Sequence, residues 1–268
     1  MLKTKLLVIA LGAAFALPAM ADDTEVTRHK EEFHAAAEAA SPITFNVGVV
    51  SDYIYRGITQ TTHAPALQGG VDYAHASGLY AGAWGSNVKW IKDSGAIATG
   101  DANVELDTYF GFKNTIATDL SYDVGYVRYN YLGTYTPAAG FNNADTAEVY
   151  GAASYKIVTL KYSYGLLDGF LTTPGAQGTN YTDLTVNYPV ADTGVTIGAH
   201  YGTQTFKGPS GTGPNNATYS DYKLSASKDF SGYVVGLAYT NTNATSFWTY
   251  NNDQWGKAAV ALSVLHSF

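Results

Sequence analysis

Ionisable side chains recur through this sequence at the spacing of β-strands. Asp52, Arg56, Asp72, Glu105, Asp107, Asp123, Glu148, Lys161, Asp183, His200, Asp221 and Lys223 each stand among residues that alternate with apolar ones. In one stretch Val104, Leu106, Thr108, Phe110 and Phe112 interleave with Glu105, Asp107, Tyr109 and Gly111; in another Val158, Leu160, Tyr162, Tyr164 and Leu166 interleave with Thr159, Lys161, Ser163 and Gly165. A period of two places one set on each face of a strand. The ionised members of the polar set are eight acids and three bases. If that face lines a water-filled lumen, the acidic excess favours cations or solutes with a positive or neutral group. If opposite charges instead pair across the interior and fill it, as in small barrels, the same residues are structural. The residues alone leave both uses open, and for each of them singly an interior ion pair is the plainer role.

Other chemistries find less support. Hydrolysis needs a Ser-His pair oriented by a third polar group. No G-x-S-x-G stretch is present, and His63, His75, His200 and His266 are scattered. Only His200 is placed to meet a serine, and no partner is identifiable, so no catalytic residue is assigned and a lipid-acting enzyme is the remote alternative. No histidine pair has metal-ligand spacing, and no cofactor is implied. Zero cysteines exclude a disulfide scaffold and thiol chemistry. The formal net charge is −7, with no Lys/Arg cluster, which argues against a nucleic-acid partner.

The chain begins MLKTKLLVIALGAAFALPAMA. Lys3 and Lys5, an apolar run from Leu6 to Leu17, and Ala19-Met20-Ala21 predict a secretory signal peptide over 1–21, cleaved after Ala21. Losing its two lysines takes the net charge from −7 to −9. Residues 22–42 are charged and alanine-rich and predict a short periplasmic, helix-like segment stopped by Pro42. Nothing downstream reaches 18 consecutive apolar residues, so no spanning helix is available. The composition, with 22 Tyr, 28 Gly and only 14% charged residues, suits a membrane barrel better than a soluble domain.

Residues 43–268 divide into twelve alternating segments: 43–57, 66–75, 79–88, 102–113, 119–132, 145–155, 158–167, 180–188, 194–204, 218–228, 232–242 and 257–268. Connections after even segments are short, and those after odd segments are longer and rich in Gly, Asn, Thr and Pro, as in outer-membrane barrels with periplasmic turns and external loops. The turn at Lys156-Ile157 carries no Gly or Asn, but the apolar parity slips there, as a strand break requires. The final stretch, KAAVALSVLHSF, alternates Val260, Leu262, Val264 and His266 and ends on Phe268. That is the pattern of a closing strand, which pairs with the first and is the segment expected to meet the barrel-assembly machinery. Arg56 must point inward or sit at the rim, because a lipid-facing arginine at mid-membrane costs about 2–4 kcal/mol. Its expected partners are Asp52 and Glu105/Asp107, and Gly57 offers a way for the chain to turn. Tyr53, Tyr55, Tyr73, Tyr122, Tyr126, Tyr155, Tyr188, Tyr201, Tyr233 and Tyr239 are expected in interfacial girdles. Trp84 and Trp90 are the best candidates for an aromatic track in the lumen.

Several stretches together resemble a known family. NVGVVSDYIYRGITQ (46–60), ALQGGVDYAHASGLYAGAWGSNV (66–88) and VELDTYFGF (104–112) are similar to the TorF-type porins of proteobacterial outer membranes, and YDVGYVRYNY (122–131) and AEVYGAASYKIVTLKYSYG (147–165) continue the match. The resemblance covers roughly 45–268. It implies an all-β transmembrane antiparallel barrel in the bacterial outer membrane, of a porin-like kind; with the acidic excess of the polar face, the expectation is a passive channel for small neutral or cationic solutes. An occluded structural barrel, or one that binds through its loops, is the alternative. The expected partners are outer-membrane lipid and small solutes, and the sequence leaves monomer and trimer equally open.

Overall fold

A computed structural model describes residues 41–214 and 216–268. The expected signal peptide and residues 22–40 of the charged segment lie outside the described residues. Twelve strands make the wall: β1 (Ile43–Val50), β2 (Ala66–Ala74), β3 (Leu79–Asn87), β4 (Ala98–Ala117), β5 (Leu120–Pro137), β6 (Thr146–Tyr155), β7 (Val158–Gly165), β8 (Asn180–Val190), β9 (Val195–Thr205), β10 (Tyr219–Phe230), β11 (Tyr233–Thr242) and β12 (Ala259–Ser267). Each pairs antiparallel with its sequence neighbour, and β12 returns to β1, so the sheet closes. Closure leaves no edge of unpaired N–H and C=O groups, which hydrocarbon would not solvate. At the seam Val47 pairs with His266 and Val50 with Ser263. Phe45 and Phe268 exchange backbone hydrogen bonds of 2.8 and 3.0 Å, and their rings stack at 5.9 Å.

Period-two alternation decides which face looks where. Outward residues are large and apolar, with Val260 62% and Phe110 59% exposed alongside Leu160, Leu184, Ile197 and Leu224. A continuous exposed apolar belt of this kind fits hydrocarbon, not water. No helix among the described residues is long and apolar enough to cross a membrane; the strands are what could cross. Tyr73, Tyr155, Tyr188 and Tyr233 lie outward near strand ends.

Connections segregate by length. On one rim the turns are 75–78, 118–119, 156–157, 191–194 and 231–232; on the other the loops are 51–65, 88–97, 138–145, 166–179, 206–218 and 243–258. The Lys156-Ile157 turn has Lys156 at φ +54°, and the Ser231-Gly232 turn has φ +58° and +91°, the left-handed geometry that tight hairpins need.

Three segments differ most from the sequence reading. The segment expected at 43–57 ends at Val50, because 51–65 leaves the wall. The segments expected at 102–113 and 119–132 extend to 98–117 and 120–137, as a long hairpin with a register shift between Ala102 and Val104. Tyr53 and Tyr55 are not girdle residues: they are buried inside the barrel.

Candidate functional site

Loop 51–65 folds into the lumen. Within it Ile54–Tyr55 pairs with Ile58–Thr59 as a miniature hairpin, closed by Arg56 and Gly57 at φ +48° and +76°. Two consecutive left-handed residues make the tight turn that a two-residue hairpin favours. Gly57 is needed there for space as well as for φ, since a Cβ would collide with Asp221 and Thr242 on the wall. The tip therefore abuts β10 and β11, and Tyr53, Ile58, Thr59 and Thr61 are at most 1% exposed.

Arg56 at the tip is clamped. Its Nη1 and Nη2 donate to the two carboxylate oxygens of Glu148 on β6 at 3.0 and 2.7 Å, and Nη1 also reaches Gln204 Oε1 on β9 at 2.8 Å. The guanidinium lies 4.3 Å from the Tyr181 ring centre and 4.8 Å from that of Tyr55, with Phe170 at 5.8 Å. Tyr129 completes the Glu148 carboxylate with a hydroxyl at 3.1 Å. The expected partners Asp52, Glu105 and Asp107 do not hold Arg56. The hairpin carries it across the bore to strands β6 and β9, a placement strand parity does not encode. Burial by itself pushes the Arg56 pKa down, but the Glu148 carboxylate, with Tyr55 and Tyr129, outweighs it and the net direction is up. Burial, then Glu105 and Asp107, push the Tyr53 phenol up.

A second fastening lies nearer the loop rim. Asp52 accepts from Thr59 Oγ1 at 2.6 Å and Thr61 Oγ1 at 3.2 Å, and its Oδ2 is 2.7 Å from His63 Nδ1. His63 Nε2 lies 3.4 Å from Asp253 in loop 243–258. Main-chain bonds tie Thr59 to Trp255 and Lys89 to Gln60. Trp90, Ile91, Trp248 and Trp255 are buried with Tyr53 and Ile58 in one apolar cluster at this end of the barrel.

The remaining polar residues singled out from the sequence face the interior from the wall. Asp72 accepts from the Tyr109 hydroxyl, and Asp123 from Tyr80 at 2.6 Å. Lys161 sits 4.4 Å over the Tyr150 ring, and Lys223 lies cross-strand from His200. His200 is held between Asp183 (2.6 Å to Nδ1) and Asp221 (2.8 Å to Nε2), with the Tyr181 hydroxyl 2.9 Å from Asp221 Oδ2. Both ring nitrogens are engaged by carboxylates, so neither is left to take a proton from a serine, as a triad histidine must. Glu105 accepts from the Tyr53 hydroxyl at 3.3 Å. Asp107 is wholly buried, and neither of its carboxylate oxygens has a partner. Among the described residues no group of three or more His, Cys, Asp and Glu side chains is placed to hold a metal ion. Trp84 packs edge-on against Tyr53 at 5.6 Å, and Trp90 against Tyr131 at 5.2 Å, so both brace the plug region instead of forming a track.

Sequence reasoning missed a layer of inward tyrosines. Tyr53, Tyr80, Tyr109, Tyr129 and Tyr181 each donate to one of the acids. A signal was present in the glycines opposite them: a Cβ at Gly82, Gly125 or Gly202 would collide with Tyr109, Tyr150 or Tyr181. Inward glycine beside inward tyrosine marks a ring lying across the wall.

Among known proteins, a family model described as "Bacterial protein of unknown function (Gcw_chp)" matches residues 36–268. That match gives this family and not the TorF-type porins that the motifs resemble. No curated protein matches the sequence. Among solved structures, the KdgM porin in complex with disordered oligogalacturonate aligns at TM-score 0.49 and 9% identity, over 84% of this chain and 98% of that one. OprD of Pseudomonas aeruginosa aligns at 0.38 and 15%, over 85% and 66%. OccAB2 of Acinetobacter baumannii aligns at 0.42 and 10%, over 87% and 66%. At these scores the alignments carry no argument about solute or mechanism.

Proposed function

The chain belongs to the bacterial family of unknown function Gcw_chp, and we propose from its geometry that it is an outer-membrane, porin-like channel described here in a closed conformation. One observation carries the reading: loop 51–65 crosses the bore and is clamped at its tip, while the wall behind it presents a polar inner face. A plug joined to the wall at two ends and clamped at its tip can move without the barrel unfolding. A lumen filled by wall side chains cannot.

With the plug displaced, passage is diffusion through an interior carrying more acids than bases, which favours small neutral or cationic solutes. The apolar belt supports lipid as the surrounding partner, and the strand ending at Phe268 supports insertion by the barrel-assembly machinery, with the turns facing the periplasm. No enzymatic step is proposed, and the engagement of both His200 nitrogens supports that.

A second reading, a permanently occluded barrel that works through its external loops, is favoured by the aromatic cluster that loop 51–65 shares with Trp90, Trp248 and Trp255. Swelling of liposomes containing the refolded protein separates the two. Entry of a neutral sugar and of a cationic amino acid, with slower entry of an anionic one, supports the channel. No swelling with any of them, even after loop 51–65 is replaced by a short Gly-Ser turn, contradicts it.

A further inference from the structure

A groove of about 170 Å³ is cut into the outer face of the wall near the turn rim, lined by Val195, Ala226, Lys228, Val235, Leu237 and Leu262. It lies where two cross-strand rows meet. Val195, Lys228 and Val235 form the row nearer the rim, and Ile197, Ala226, Leu237 and Leu262 the next. Ala226 makes the hollow: its neighbours Ile197, Leu237 and Leu262 are large and half exposed, and the methyl between them does not fill its place.

Lys228 stands at the rim end of this hollow, two residues before the end of β10. It shares the outward parity of Leu224 and Ala226. Its Cε lies 3.8 Å from where a Cβ at Gly194 would stand, and its ammonium is 5.6 Å from the centre of the Phe230 ring. The stem thus runs along the wall towards turn 191–194, as a lysine does when it keeps its charge in the headgroup layer. Among the described residues no carboxylate pairs with it; Asp229 beside it accepts from the Gly232 N–H at 2.7 Å instead. Arg128, an outward base at the opposite rim, is placed differently, with Asp145 at 3.8 Å and Asn130 at 2.9 Å.

We propose that the groove is a binding site for one diacyl phospholipid, with its phosphate on Lys228 and an acyl chain seated over Ala226. An apolar hollow offers water no polar partner, so hydrocarbon fills it. A lysine that faces the headgroup layer without a protein counter-ion attracts an anionic lipid headgroup. Hollow and charge adjoin, so one molecule satisfies both. A fatty chain alone leaves Lys228 without an anion, and a free phosphate leaves the groove empty. The site presupposes the membrane placement proposed above but not conduction.

The test is native mass spectrometry of the refolded protein released from detergent, titrated with phosphatidylglycerol and, separately, with diacylglycerol, which lacks the phosphate. One phosphatidylglycerol retained per barrel is expected. Binding should be about fivefold weaker for diacylglycerol and for K228Q, and about fivefold weaker in A226L, whose larger side chain fills the hollow. K156Q, at another turn, should bind as wild type does. All three substitutions lie outside the barrel interior, and heat-modifiable mobility checks that each variant folds. Equal retention by wild type, K228Q and A226L, or of both lipids, would overturn the proposal, because the adduct would then be lipid held anywhere on the belt. Flotation of the wild type with phospholipid vesicles separates the two levels. A chain that does not float fails the membrane reading and this site with it, whereas one that floats but retains no lipid fails this site alone.

Discussion

Arg56 is the residue on which the closed state turns. It is buried, bonded to Glu148 through both terminal nitrogens, and sandwiched by aromatic rings. Removing one partner of such a pair leaves the other charge buried alone, at a cost of about 3–5 kcal/mol, whereas replacing both by apolar groups is often neutral. E148Q should therefore lower stability by about that much in urea unfolding of the detergent-solubilised barrel. R56M/E148L should recover most of it, and equal losses in the single and double variants would contradict the clamp. The His63 fastening is weaker. Its side chain is 25% exposed and its second contact is 3.4 Å long, so H63N should cost no more than about 1 kcal/mol in the same assay.

At the scale of elements, the wall and the plug obey different rules. Wall strands follow from alternation, and the inward glycines there make room for tyrosine rings. G202A sets a methyl against the Tyr181 ring and the Asp221 carboxylate, and should destabilise the barrel by about 1–3 kcal/mol through overpacking. G57A acts on the plug instead. The left-handed φ penalises alanine by about 1–2 kcal/mol, and the added methyl meets Thr242 and Asp221. It should raise proteolytic cleavage within 51–65 while leaving the heat-modifiable mobility of the barrel unchanged. Twelve strands, their order and the seam at Phe268 were legible because each is a local pattern of period two or a parity slip. The plug was not, because Tyr53 and Tyr55 continue the apolar parity of Phe45, Val47 and Val49, with Asp52 and Arg56 on the other parity, straight through the point where the chain leaves the wall. Among the candidate residues, the inward direction of the wall acids was readable from parity. Their partners were not, since a partner across the bore depends on which strands face each other after closure, and Arg56 reaches β6 and β9 only because a hairpin carries it there.

For the whole molecule, the central claim is that a polar bore is closed by the clamped loop 51–65. The most direct test is single-channel conductance in planar bilayers, comparing the wild-type chain with R56M/E148L, which dissolves the clamp without stranding a charge. The expected outcome is rare or no opening for wild type. Discrete, frequent steps should appear for the double variant, with a reversal potential in a salt gradient that shows cation preference. If the double variant and a loop-51–65 deletion both fold, as heat-modifiable mobility would show, and both remain silent, the lumen is not a conduit and the channel account fails.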